Sequence, residues 1–149
     1  MSYQEKSSIL SIINFPLVYG SYWIYIRQRL NGDNPGLIND LSFWAASILI
    51  FVGISVVARI ILEILFNIAN AIVTRRADDQ SFEDERDRLF ELKSNRVSAY
   101  VVGFGFLLSL ATLVLKWPPY IMLNVMYFAF IASVVTAEII KLRYYRKGM

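Results

Sequence analysis

The chain has 149 residues, of which 56% are hydrophobic, 15% aromatic and 18% charged, with a net charge of +3. A soluble domain is about 45–50% apolar and about 25% charged, so both departures place this chain in a membrane. Cys and His are absent, which removes disulfides, thiol catalysis, imidazole bases and almost every zinc or haem site, and so small a positive excess orients loops rather than recruiting nucleic acid.

The first apolar segment, 9–26, is longer than the ~7–15-residue core of a secretory signal. It follows an acidic residue, Glu5, and no small-x-small cleavage site comes after it. It reads as a transmembrane helix with Pro16 tolerated as a kink. Asn31-Gly32, Asn34-Pro35 and Gly36 then break the chain. A second helix is expected over 41–73 and a third over 82–116, with its apolar part from Val97. The sequence WPPY turns tightly into a fourth over 120–140. Each apolar stretch meets the ~20 residues needed to cross a ~30 Å hydrocarbon core. The expectation is one all-α domain over 1–149, a polytopic membrane protein with four transmembrane helices.

The second and third helices are too long for the bilayer. Residues 41–73 make roughly 50 Å of helix, and protrusion relieves such an excess more simply than tilt. Ser81 followed by Asp84 is a capping-box pattern, and Glu83, Asp84 and Glu85 crowd a first turn where the helix dipole favours anions. The two helices are therefore expected to pair as an antiparallel cytoplasmic hairpin over about 66–96. A tip near Ala77 and Asp78 sets Arg59 level with Arg96, Glu63 with Leu92 and Lys93, Asn67 with Arg88, and Asn70 with Glu85. Arg59, Glu63, Asn67 and Asn70 are spaced 4, 4 and 3, which makes one polar stripe. Facing it, Arg88, Lys93 and Arg96 supply partners near the inner boundary, where snorkelling lowers the cost of charge.

Orientation follows from Lys and Arg. With the N-terminus cytoplasmic, eleven fall inside: Lys6, six between Arg75 and Arg96, and four after Ile140. Three fall outside, Arg27, Arg29 and Lys116. Trp23, Trp44 and Trp117 then all approach the outer boundary, where indoles prefer to sit. Both termini are expected in the cytoplasm.

Several features have a bland and a sharp reading. Arg59 and Glu63 either fix the hairpin or handle charge, because an ionisable group inside a membrane is a functional candidate by default. Glu138 either pairs with Lys141 or another basic residue, or carries charge with Glu63. Glu83, Asp84, Glu85 and Asp87 form either a solvated face or a partner-docking surface. Gly103 and Gly105 stand mid-helix, so they point to helix packing and not to a nucleotide loop. Ala129, Ser133 and Ala137 on the fourth helix, with Ala99/Gly103 and Gly105/Ser109 on the third, are small-xxx-small faces for close approach within the bundle or across a homodimer.

The stretch DERDRLFELKSNR, residues 84–96, stands just before a hydrophobic helix. It resembles that of small prokaryotic predicted membrane proteins with a domain of unknown function. The resemblance implies a protein of the prokaryotic inner membrane and carries over no catalytic residue.

No catalytic residue, cofactor or metal-ligand set is assigned. The leading expectation is a non-enzymatic interaction or regulatory protein, acting through its cytoplasmic hairpin and helix–helix association. Its partners are the lipid bilayer, a cytoplasmic or membrane protein, and a second copy, with no nucleic acid. The alternative is a small dimeric secondary transporter or permeation protein using Glu63, Arg59 and Glu138. In size and helix count it resembles the small multidrug exporters, although segment 9–26 lacks the acid that their first helix carries.

Overall fold

The computed structural model describes residues 3–32, 35–74 and 85–147. They form four helices: α1 (Tyr3–Leu30), α2 (Leu41–Thr74), α3 (Glu85–Val114) and α4 (Pro119–Lys147). A short 3-10 helix lies at Pro35–Asn39, and no strand occurs among the described residues. Every helix contains a stretch long and apolar enough to cross a membrane, from Ser7–Leu30 to Pro119–Arg146. The expected all-α architecture of four helices is what the described residues form. Two helices run past their expected ends. α1 begins before residue 9 and α4 continues beyond residue 140, because no Gly or Pro interrupts the polar flanks.

Local chemistry sets the ends. Asp40 caps α2: its Oδ1 accepts from the Ser42 N–H at 2.9 Å, and its carbonyl accepts from the Trp44 N–H at 3.4 Å. The preceding loop is fastened by Trp44 Nε1, which donates to the Ile38 carbonyl at 3.1 Å. α3 ends in a Schellman turn. The Trp117 N–H reaches back to the Thr112 carbonyl and the Lys116 N–H to that of Leu113, both at 3.0 Å. Lys116 takes the left-handed position, φ 58°, that glycine usually fills. Pro119 opens α4 at the position where a missing N–H costs nothing.

α4 is the central helix, packing against each of the other three, while α1 also packs on α2. α3 and α4 run antiparallel. Phe90 stacks on Tyr144 with centroids 5.2 Å apart, and Gly105 meets Ala129. These two contacts are fifteen residues apart on both helices (90 to 105, 129 to 144), so one register holds for roughly 22 Å. The close approach depends on small residues. A Cβ added at Gly105 would overlap the Ala129 Cβ and stand 3.4 Å from its Cα. Gly103, by contrast, has open space beside it, so the packing face is the one with Gly105, Ser109 and Thr112.

The helices expected to lie side by side do not. α3 packs along α4 and makes no comparable contact with α2. The link 115–118 is only four residues long and holds α3 beside α4, where small residues face each other. Much of the α2 surface is Leu, Ile and Val, exposed as in Leu49, Ile50, Ile64 and Ile72. The hairpin tip, 75–84, lies outside the described residues.

The interior is unlike that of a soluble bundle. Ser8, Ser11, Asn14, Ser47, Ser55, Ser94, Ser109, Thr112 and Ser133 are buried, and large apolar side chains point outward. Most of these hydroxyls bond their own helix. Ser109 donates to the Phe106 carbonyl at 2.7 Å and Ser133 to that of Phe130 at 2.7 Å. They therefore serve as small residues rather than as interhelical polar links. An aromatic cluster fills the middle. Tyr22 is fully buried, donates to Asn124 Oδ1 at 2.6 Å and packs against Tyr127 and Phe51. Trp44 is also buried, stacked on Tyr120 at 5.0 Å and 12°. Tyr22 and Trp44 hold α1, α2 and α4 together. Trp23 and Trp117 are exposed.

Candidate functional site

Four helices bring polar side chains to one level. Arg59 is eighteen residues into α2 from Leu41 and Glu138 nineteen into α4 from Pro119, roughly 27 and 29 Å along their axes. Both lie in the second half of a stretch long and apolar enough to cross a membrane, Leu41–Ala69 and Pro119–Arg146. α1 contributes Ser7, Ser11 and Asn14 at this level, and α3 contributes Glu91, Ser94, Asn95 and Ser98.

Arg59 is the hub. Its Nε donates to Glu63 Oε1 at 3.0 Å, one turn along α2. Its Nη2 lies 3.7 Å from Glu138 Oε1 on α4, an ion pair too long for a hydrogen bond. The Arg59 and Glu63 side chains are 42% and 49% exposed, whereas that of Glu138 is 13% exposed. One guanidinium thus faces two carboxylates; with Lys141 and Glu91, which line the same pocket as Glu138, the cluster holds two positive and three negative charges.

Three spaces meet at Arg59. The first is a groove of about 970 Å³ between α2 and α4, backed by Phe15 of α1 and walled by residues such as Val52, Leu123 and Ile131. α2 and α4 run parallel and touch at Trp44–Tyr120 and at Arg59–Glu138; the groove lies between those contacts. The second is a polar pocket of about 250 Å³, where Arg59 and Glu138 meet Lys141 and the Glu91, Ser94, Asn95 and Ser98 side of α3. The third is a cavity of about 10 Å³ between α1 and α2, the scale of one water, lined by Ser11, Asn14, Arg59 and Glu63. Asn14 Nδ2 is buried there with no acceptor among the described residues.

The polar stripe is partly assembled. Arg59 and Glu63 pair, and Glu138 joins them from α4. The expected partners on α3 point elsewhere. Lys93 sits over the Tyr144 ring at 5.6 Å, and Arg88 and Arg96 are exposed. Arg59 shares its pocket with Asn95, one residue from the expected Arg96, and with Ser94 and Ser98, so the cation in that pocket comes from α4 as Lys141 and not from α3. Asn67 is exposed on α2. Asn70, Glu85 and Asp87 belong to described helix backbone, but their side chains, like Glu83 and Asp84 altogether, lie outside the described residues. Sequence reasoning passed over Asn14, Ser94, Asn95 and Ser98. The signal for Asn14, Ser94 and Ser98 was available in two stripes of helical spacing, 7/11/14 on α1 and 91/94/98 on α3, and Asn95 falls beside the second.

In the polar pocket the Ser94 hydroxyl donates to the Glu91 carbonyl of its own helix at 2.9 Å. Among the described residues no group of three or more Asp or Glu is placed to hold a metal ion. What the arrangement offers is a guanidinium shared by two carboxylates, between a lipid-like groove and a polar pocket. Comparison with known proteins finds no matching family model, no matching curated protein and no matching solved structure.

Proposed function

We propose that this chain is a non-enzymatic, multi-pass protein of a prokaryotic cytoplasmic membrane that handles monovalent cations at the Arg59–Glu63–Glu138 cluster. The observation that carries the reading is the charge count: two carboxylates from different helices share one guanidinium. Unmatched charge at the edge of a low-dielectric core is expensive, and a cation or proton at Glu63 or Glu138 removes it. Arg59 then acts as the resident counter-charge. As a cation takes one carboxylate, Arg59 turns to the other, so neither is left alone. The test is reconstitution into liposomes. Uptake of a small organic cation such as methylammonium should exceed that of empty vesicles and disappear in both Glu63→Gln and Glu138→Gln. Uptake equal to empty vesicles refutes the reading.

Both termini and the α2–α3 connection are placed in the cytoplasm on the eleven-to-three distribution of Lys and Arg. Since the chain has no Cys, an engineered Cys at Asp78 should be shielded from an impermeant thiol reagent in intact cells, and one at Asn34 should react.

The second reading is an interaction protein acting through the segment that links α2 and α3 or as a homodimer, with Glu83, Asp84, Glu85 and Asp87 as the docking face. It draws support from α2, whose apolar span is 6% buried against 33% for that of α1, leaving a long helix surface for another helix to cover. Crosslinking in the native membrane tests it: recovery of the chain alone, as a monomer, rejects it.

A further inference from the structure

The polar pocket where α2, α3 and α4 meet has walls of both signs. Arg59 and Lys141 bring two cations to it, and Glu91 and Glu138 bring two anions. Its lining is therefore balanced in charge. The space, about 250 Å³, is a wedge: α2 and α3 both pack on α4 and make no comparable contact with each other. Val134 and Ala137 of α4 line it between them. It stands toward one end of the membrane-length stretches, since Glu91 is close to the start of Arg88–Val114 and Lys141 close to the end of Pro119–Arg146.

The four charges are not equally engaged. Arg59 and Glu138 face each other at 3.7 Å, and Arg59 also pairs with Glu63, which lies outside this pocket. Glu91 and Lys141 line the same pocket, yet neither has an ion-pair partner among the described residues. They are close in level. With Phe90 beside Tyr144, Glu91 stands level with Arg143, roughly 3 Å along the axis from Lys141. Two opposite charges that share a partly enclosed space without touching attract a molecule that presents the complementary charge to each. A lone cation satisfies Glu91 and is repelled by Lys141, and a lone anion does the reverse. A zwitterion serves both and adds no net charge to a lining that is already balanced.

The neighbouring groups favour N–H donors. Asn95 brings an amide oxygen and Ser98 a hydroxyl oxygen from the same helix as Glu91. Ser94 gives its proton to the Glu91 carbonyl and keeps lone pairs that accept. A primary ammonium offers three donors to such acceptors, and a quaternary one offers none.

We infer that this pocket is a binding site for a small zwitterion, with a primary ammonium held by Glu91 and an acid group held by Lys141. A free amino acid and the ethanolamine phosphate head group of a lipid share this chemistry. The inference goes beyond cation handling at Glu63 and Glu138 and uses two charges that reading does not employ.

The test is calorimetric titration of the full chain, in phosphatidylcholine nanodiscs at neutral pH, with β-alanine and separately with glycerophosphoethanolamine. Saturable binding of at least one probe is expected. Ethanolamine lacks the acid, propionate lacks the ammonium and glycerophosphocholine lacks the N–H donors, so each should bind at least about tenfold more weakly. Glu91→Gln and Lys141→Met should each weaken the bound probe at least about tenfold. Lys141→Gln replaces Lys141→Met if that variant fails to insert. Exchanging the charges, Glu91→Lys with Lys141→Glu, should regain part of the loss, because both poles are kept and only reversed. Arg143→Met removes a cation at the level of Glu91 but outside the pocket, and it should bind as the native protein does. Discs of phosphatidylethanolamine identify the source: loss of probe binding there assigns the pocket to the lipid head group, and unchanged binding assigns it to a soluble zwitterion. Methylammonium uptake should persist in Glu91→Gln, so the two readings fail separately. Absence of saturable binding by both probes overturns the inference, as does equal binding of glycerophosphocholine or native affinity in folded Glu91→Gln and Lys141→Met proteins. A charge-exchanged protein that binds no better than either single variant overturns the assignment of the two poles.

Discussion

The Nη2 atom of Arg59 on α2 lies 3.7 Å from Oε1 of Glu138 on α4, an ion pair between two helices that run in the same direction. It stands at the opposite end of the groove from the Trp44–Tyr120 stack, and between those ends α2 and α4 share little surface. The two partners of Arg59 differ in worth. Glu63 is one turn away, and both side chains are well exposed, so that pair contributes about 0.3–0.5 kcal/mol. Glu138 is much more enclosed, and an enclosed charge is costly without its partner.

Arg59→Met is therefore expected to cost about 1–3 kcal/mol, less than the full penalty of a buried pair because Arg59 is 42% exposed. Most of the loss comes from stranding Glu138. Adding Glu138→Gln should recover part of it, and adding Glu63→Gln should recover less. Reversible unfolding in mixed micelles measures all three. Equal recovery by the two Gln changes would mean that Arg59 does not discriminate between its carboxylates.

Two glycines two residues apart should behave oppositely. A side chain at Gly105 runs into Ala129, so Gly105→Ala is expected to cost about 1–3 kcal/mol by overpacking, and Ala129→Gly added to it should restore part of the loss. Gly103 has no neighbour within 4 Å, and Gly103→Ala should be neutral or gain up to about 1 kcal/mol from helix propensity. Thermal unfolding that ranks the two single variants the other way would place the α3–α4 contact on the wrong face.

That contrast shows where the sequence is informative and where it stops. Spans and helix count follow from the run of apolar residues, because a bilayer demands about 20 of them in a row. The Arg59–Glu63 pair follows from spacing alone, since residues four apart share a face. Arg59–Glu138 does not, because 79 positions separate them and the pair exists only once α4 lies beside α2. Helix length suggested α2 against α3, yet a short link and facing small residues set α3 on α4. A bundle in lipid has no polar outside to mark its inside. The inward face of α3 is thus signalled weakly, by Ser94, Ser98, Gly105 and Ser109. The interior partners of Trp44 and Tyr22 were illegible for a related reason. An aromatic with a polar tip suits both the interface and an interior site that satisfies the tip, as Ile38 and Asn124 do here.

Tyr22→Phe removes the hydroxyl that reaches Asn124 Oδ1 across α1 and α4 and leaves the packing of the ring intact. Hydrogen bonds between membrane helices average about 0.6 kcal/mol, and leaving an acceptor unsatisfied adds to that, so a loss of about 1 kcal/mol is expected. Asn124→Leu with Tyr22→Phe removes both partners and should cost less than the sum of the two single changes. Additive losses would show that the bond contributes nothing to holding α1 on α4.

The turn between α3 and α4 offers the last prediction. Lys116 holds φ 58° at the end of α3, where its N–H and that of Trp117 bond the carbonyls of Leu113 and Thr112. A left-handed conformation costs a residue with a Cβ about 1–2 kcal/mol, and glycine escapes that cost. Glycine also gains freedom in the unfolded chain and gives up the positive charge that suits a helix C-terminus, which together offset about 1 kcal/mol of the relief. Lys116→Gly should accordingly change stability little, by up to about 1 kcal/mol in the stabilising direction. Lys116→Val carries a branched Cβ at the same φ and loses the charge as well, so it should be the least stable of the three by about 1–2 kcal/mol. The turn fixes the register of Gly105 on Ala129 and, further along, brings Ser94 and Ser98 toward Glu138. Lys116→Val should therefore also weaken any cation binding read at Glu63 and Glu138, whereas Lys116→Gly should not. If Val and Gly at this position prove equally stable, the left-handed turn is not what ends α3.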